Sequence, residues 1–308
     1  MENKKVKNQE ERSRKLFMFS ALIVPTLFFL VFFVYINFNS LLMAFQRPDY
    51  STGTLVEKFS FENFRLIFSK ESGLDEILMA VKNTLIFFFS DLLIVFPVSI
   101  FMSYFFFKKM PGFRFFRFVF YLPAVISSSV LVVLFKYAIG DGGIVDAYMT
   151  GHGKEFVYLL SKAPDAMITI VFYSIAFSFG GNIIVLGGSM NGINSEVLEA
   201  GKIDGCGWVK ELFLLVLPMM WPTISTIIIL KMTGILSASG PILAFTKGAS
   251  ETMTLSYLLY ALVSGVGKSQ DLYYASAVGV VMTIIVFPIT MLVKRLVYSD
   301  KRDEEDTL

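Results

Sequence analysis

One cysteine and one histidine occur in the whole chain. A lone Cys206 excludes an intrachain disulfide, and a lone His152 leaves too little for a catalytic triad or an imidazole metal site. Charge is scarce as well: Asp, Glu, Lys and Arg make up 17% of the residues and nearly cancel, at a formal net charge of +2. No basic stripe stands outside the flanks of the apolar runs, which argues against a nucleic-acid partner. No G-x-x-x-x-G-K-[ST] run is present, so this chain lacks the loop that cradles nucleotide phosphates.

Apolar surface is abundant instead. The chain is 55% hydrophobic and 16% aromatic, with 33 Phe and a mean hydropathy of +0.65. That is far more apolar than a water-soluble domain. At 308 residues there is room for about six spans of a ~30 Å hydrocarbon core and for modest loops. The class is therefore all-α integral membrane. A membrane enzyme would need a cluster of His, Asp or Glu near one face, and one His with one mid-span acid does not supply it.

The apolar runs predict spans over 16–38, 83–107, from a basic turn at Lys108–Arg114 to about Phe135, then 166–190, 212–236 and 272–293. The first run is too long for a signal peptide and reads as a retained span. Ahead of it, residues 1–15 form a basic tail expected to be solvated and disordered. Residues 16–82 then comprise the first span and an external segment with short amphipathic helices; residues 83–297 form a five-helix core, and 298–308 a charged tail. The stretch 136–165 reads as an external loop in which His152 is solvated. Leu255–Val266 is apolar but too short to cross, which suggests a surface or re-entrant helix. With the N-terminus inside, the cytoplasmic pieces hold 16 Lys and Arg against 11 in the much longer external pieces, so both termini are expected inside.

Two residues inside spans stand out. A carboxylate at Asp91 is costly in hydrocarbon, so it must face a partner helix or water; structural pairing and a place on a pathway both fit. Asn182 must likewise find a hydrogen bond, as interhelical glue or as a ligand for cargo hydroxyls. Around it, Gly180, Gly181, Gly187 and Gly188 make a small-residue face that lets another helix approach.

The most informative stretch is polar. Residues 166–194 and 212–230 carry no charge, and between them lies Ser195–Gly207 with Glu196, Glu199 and Asp204. Ser195 is a plausible N-cap, Glu196 and Glu199 fall in the first turn or just beyond, where the helix dipole favours negative charge, and Gly201, Gly205 and Gly207 predict a short helix with a sharp exit. Turning the chain round needs only a few residues, so an acidic helix here presents something to a partner in water.

At Glu199-Ala200-Gly201, Ile203-Asp204-Gly205-Cys206 and Leu217-Pro218 the sequence resembles the EAA motif of the membrane subunits of binding-protein-dependent ABC importers. Gly201 stands where a second Ala is usual, Cys206 replaces an Ala, and Leu212 sits where Phe is common. Asn83-Thr84-Leu85, the run from Arg117 through Leu122-Pro123-Ala124-Val125-Ile126, Phe245–Ser250 with Thr254-Leu255, and Tyr274-Ala275-Ser276-Ala277 resemble the carbohydrate-uptake type. In the loop at 245–255, Ala249 stands for the second Gly and the Pro is absent. The resemblance covers about Asn83 to Leu296.

It implies a type I importer permease fold of six helices in the bacterial cytoplasmic membrane, N-in and C-in, with no catalytic residues, no metal and no cofactor of its own. ATP and Mg would be bound by two cytoplasmic ATPase subunits; a second homologous permease and an extracellular solute-binding protein would complete the assembly. Glu196, Glu199, Ala200, Gly201, Asp204 and Gly205 would form the ATPase-coupling helix. Tyr173, Phe177, Asn182, Thr233 and Ser237 would line the pathway for a sugar or oligosaccharide. A non-sugar cargo is the main alternative. An ATP-independent transporter or channel is the other, but it would show internal repeats or several intramembrane charges.

Overall fold

The computed structural model describes residues 2–49, 56–69, 73–266 and 270–299. The chain divides into two units, one taking in residues up to Ser69 together with Asp271–Val281, the other the remainder.

In the first unit, α1 (Glu2–Phe28) runs through a π-helical stretch (Phe29–Tyr35) into α2 (Ile36–Ala44). The N-terminal residues expected to be disordered are helical here, back to Glu2. Their Lys, Arg, Glu and Gln are good helix formers, and the apolar span gives the helix its nucleus. Next comes an antiparallel hairpin, β1 (Gln46–Asp49) paired with β2 (Val56–Phe59), and then α3 (Glu62–Ile67). Helices alone were expected in this segment. What makes the hairpin is tertiary: buried Asn63 donates to the carbonyls of Ala44 and Gln46, accepts from Arg47, and Phe45 stacks on Phe59 at 5.9 Å.

The second unit begins with α4 (Leu74–Ser90), a π-helical turn (Asp91–Val95) and α5 (Phe96–Phe107). This span starts nine residues before Asn83, because Asp75 and Glu76 in its first turn complement the helix dipole. The following α6 (Phe113–Val125) and α7 (Ser128–Ile139) are separated by extended backbone at Ile126 and Ser127, so the single kinked span expected around Pro123 is broken two residues after the proline. Part of the expected outer loop is helical too, as the end of α7 and as α8 (Ile144–Gly151); His152 caps α8, exposed, with Nδ1 2.8 Å from the Tyr148 carbonyl.

The fourth span comprises α9 (Asp165–Phe177) and α10 (Phe179–Asn191). Its small-residue face works at Gly180, where a Cβ would lie 2.6 Å from that of Ala124 on α6; Gly181, Gly187 and Gly188 face open space. After α11 (Ser195–Ile203) come α12 (Trp208–Lys210), a π-helical turn (Glu211–Val216), α13 (Leu217–Met219) and α14 (Trp221–Thr233). The fifth span is thus not one rod: Trp208–Met219 and Trp221–Thr233 meet at 70°, between Pro218 and Pro222. Neither proline can donate its backbone nitrogen to the ladder, and that loss licenses the bend. A 3₁₀ turn (Ile235–Ser237) and α15 (Ile242–Phe245) lead to α16 (Leu255–Ser264), which buries Leu255, Tyr257, Leu258, Ala261 and Leu262 rather than lying free on a surface. Finally, α17 (Leu272–Ser299) is the last long helix.

Among the described residues, five helical stretches are long and apolar enough to cross a membrane, and six if the bent pair counts as one span.

Candidate functional site

Three constructions follow from this scaffold. The first is α11. Its N-cap is Asn194, one residue before Ser195, and the Asn194 side chain accepts from the Glu196 N–H at 3.0 Å. At the other end Gly205 adopts φ +76°, its N–H donating to Lys202 O and that of Cys206 to Gly201 O. This pair of bonds is a Schellman closure, the sharp exit expected from the glycines. Leu198 is the one buried residue of the helix, packed with Leu186, Met190, Leu212 and Val216. Gly201 shares that inner side, where a Cβ would come within 2.6 Å of Leu215 Cδ1. Outward, at helical spacing, stand Glu196, Glu199, Ala200 and Ile203, all exposed; Asp204 is exposed too. Ile203 is 87% exposed, an apolar tip among acids.

Behind α11 lies an ion pair that no sequence pattern announced. Lys108, at the end of α5, donates to both carboxylate oxygens of Glu211 at 2.6 and 2.9 Å. The Glu211 side chain is 4% exposed. Beside it the Tyr104 hydroxyl donates to Trp208 O at 3.1 Å.

The second construction is a cavity of about 600 Å³ bounded by α4, α9, α14 and the segment 237–241. Of the five residues expected on a pathway, Tyr173, Phe177 and Ser237 line it. Asn182 and Thr233 do not: Asn182 lies further along on α10, and the exposed Thr233 bonds back to Leu230 O. Asp91 does line it, paired with Lys231 of α14. Asp91 is therefore structurally paired, and the pair stands on the wall of a cavity. Lys231 lies within the span expected over 212–236 and was not singled out there, although an isolated lysine directly after Ile227–Leu230 is itself a signal. Ser128, Ser174, Ser178 and Ser239 add hydroxyls, and Ser174 Oγ is buried without a hydrogen-bond partner among the described residues. Gly240, at φ +52°, approaches so closely that a Cβ would meet Phe87 at 2.7 Å.

The third is a set of stitches joining the motif-like segments. Asn83 Nδ2 donates to Glu251 O and Met253 O at 2.8 and 2.7 Å, and Thr84 Oγ1 accepts the Leu255 N–H at 2.9 Å. Ser250 ties the same loop to the carbonyls of Leu160 and Ser161. The stitched loop runs through positive φ at Lys247, Gly248, Ser250 and Glu251, a shape that local preference would not hold. Asn83→Leu leaves two inward carbonyls without their donor and should cost about 1–3 kcal/mol, read as a lower unfolding temperature of the detergent-solubilised protein.

Residues 78–300 match the family model for the inner membrane component of binding-protein-dependent transport systems. The chain belongs to that family. As such a component it is a multi-pass protein of the bacterial inner membrane and part of a transport system rather than an enzyme. The component is 26% identical over 268 residues to the probable ABC transporter permease protein YesP of Bacillus subtilis, covering 86% of this chain and 84% of that one. It is also 26% identical over 278 residues to the multiple sugar-binding transport system permease protein MsmF of Streptococcus mutans, covering 88% and 91%. In fold it resembles a chain of a bacterial ABC transporter involved in the import of the acidic polysaccharide alginate, with a TM-score of 0.79 at 21% identity over 95% of this chain and 99% of that one.

Proposed function

We propose that this chain forms half of the translocation pathway of an ATP-driven importer for a sugar or oligosaccharide, with α11 as the helix through which ATPase subunits act on it. The observation that carries the coupling role is the build of α11: capped at both ends, held by one buried leucine and otherwise open to water. Its outer face combines Glu196, Glu199, Ala200 and Ile203, with Asp204 and Gly205 closing the end. A face of that kind suits a partner groove that is basic at its rim and apolar at its centre. Tyr173, Phe177 and Ser237 supply the cavity with aromatic faces and a hydroxyl, which suit sugar rings and their edges. The sugar reading also draws on the names of MsmF and of the alginate importer. Because this chain has no nucleotide loop, ATP and Mg belong to two ATPase subunits. A second permease would supply the other half of the pathway, and an external solute-binding protein would deliver cargo.

A charged non-sugar solute is the second reading, favoured by one observation, the Asp91–Lys231 pair on the cavity wall. Glycerol-3-phosphate permeases of Salmonella are 23% identical to this chain.

Affinity purification of the tagged subunit should bring down an ATPase and a second permease, and the reconstituted assembly with its binding protein should accumulate labelled oligosaccharide only with ATP. Glu199→Lys with Gly205→Asp should lower that uptake at least about tenfold, equivalent to roughly 1.4 kcal/mol of lost coupling, while membrane insertion is unchanged. Normal uptake by the double variant would remove α11 from the mechanism. Alanine at Tyr173, Phe177 or Ser237 should alter uptake or its selectivity, and alanine at Asn182 or Thr233 should not.

A further inference from the structure

A smaller cavity of about 280 Å³ opens between α5, α6 and α10, at the end of the bundle that leads into α11. Its polar lining consists of Arg117, Tyr121, Ser103 and Asn191, and no carboxylate borders it. The Arg117 guanidinium is set among aromatic faces, 5.8 Å from the rings of Phe106 and Phe113 and 6.0 Å from that of Tyr121. Among the described residues no acid pairs with it, in contrast to Lys108 and Lys231, which both have carboxylates.

The space exists because Gly187, on the opposing helix, carries no side chain and nothing stands within 4 Å of where its Cβ would be. The charge distribution puts this end of the bundle at the cytoplasmic face, so the guanidinium lies at the headgroup level of the inner leaflet. On the same helix Phe115 and Phe118 are 67% and 65% exposed, a surface suited to acyl chains.

We infer that this cavity is a binding site for the phosphate of an anionic lipid, held by Arg117 with Tyr121 and Asn191 as further donors. A fixed cation with hydrogen-bond donors and no competing acid is the complement of a phosphodiester, and basic pockets between helices on the cytoplasmic side take such headgroups. A free phosphate has the same headgroup chemistry; the flanking phenylalanines favour the lipid. The site depends on membrane orientation and is independent of cargo.

The test is native mass spectrometry of the full-length protein, purified alone and with its co-purifying subunits, after exchange into mixed dioleoyl-phosphatidylglycerol and dioleoyl-phosphatidylcholine. Wild type should retain one phosphatidylglycerol with about fivefold preference, the gain expected of one basic group at an anionic headgroup. Arg117→Gln should abolish the preference and Arg117→Lys should keep part of it. Gly187→Leu should abolish it with every charge in place, by filling the cavity. Arg114→Gln, which lies outside the lining, should leave it intact. The inference fails if Arg117→Gln still prefers phosphatidylglycerol, or if Arg114→Gln loses the preference equally, which would mean diffuse surface charge. It also fails if millimolar inorganic phosphate displaces the lipid, marking a free-anion site, or if the assembled complex excludes the lipid, marking an interface with the second permease.

Discussion

Lys108→Met should destabilise the solubilised protein by about 3–5 kcal/mol, the usual penalty for stranding one member of a buried ion pair. Glu211 is the member left behind, and its side chain is 4% exposed beside the fully buried Leu212. The neighbouring Tyr104 hydroxyl, directed to the Trp208 carbonyl, is neutral and does not replace the charge of the ammonium. Glu211→Gln should cost less, since an amide keeps an acceptor for Lys108, and Lys108 is itself 21% exposed and can turn to water. Replacing both, as in Lys108→Met with Glu211→Leu, should recover most of the loss, because the desolvation of two charges disappears together with their attraction. Thermal unfolding followed by tryptophan emission reads all three variants, with Trp208 placed three residues from Glu211. A double variant no more stable than Lys108→Met would show that the stranded carboxylate is not the source of the loss.

Asp91 and Lys231 pose the same question inside the membrane, with a functional readout. The Asp91 side chain is 37% exposed and that of Lys231 15%, so the carboxylate is the member open to the cavity and the ammonium lies behind it, 5.7 Å from the Phe96 ring. Lys231→Met should leave a carboxylate at a depth where ionised groups are expensive, with a loss of about 2–3 kcal/mol in insertion or stability, limited by the access Asp91 has to cavity water. Asp91→Asn should cost a similar amount by unpairing the more enclosed lysine. The combination Asp91→Asn with Lys231→Met should fold nearly as well as wild type. Uptake separates the roles: if the pair only supports the walls, the double variant transports normally, and if it also touches cargo, transport stays impaired in a protein of normal stability.

Legibility differed by range. Spans, the acidic helix and its glycine exit are written in neighbouring residues, so composition and spacing were enough to find them. The partners of the two carboxylates are 103 and 140 residues away in sequence, and which turns of two helices face each other depends on packing that no local pattern encodes. Both acids open a π-helical turn, Asp91–Val95 and Glu211–Val216, and a widened turn shifts the face presented by everything after it. Asn182 and Thr233 had been placed by resemblance and not by spacing; the structure keeps them off the cavity that Tyr173, Phe177 and Ser237 line. The hairpin at 46–59 escaped notice for a related reason: its stability comes from Asn63 and stacked phenylalanines, not from alternation within the strands.

The elbow at Met220 has a mechanical consequence. The arm Trp208–Met219 follows directly on α11, while the other, Trp221–Thr233, delivers Lys231 to the cavity wall, and the arms stand at 70°. On the proposal that ATPase subunits act on α11, a push along the first arm would reach the far arm mostly as sideways swing. The segment would then work as a bell crank, turning lengthwise motion from the water side into a change in the width of the cavity.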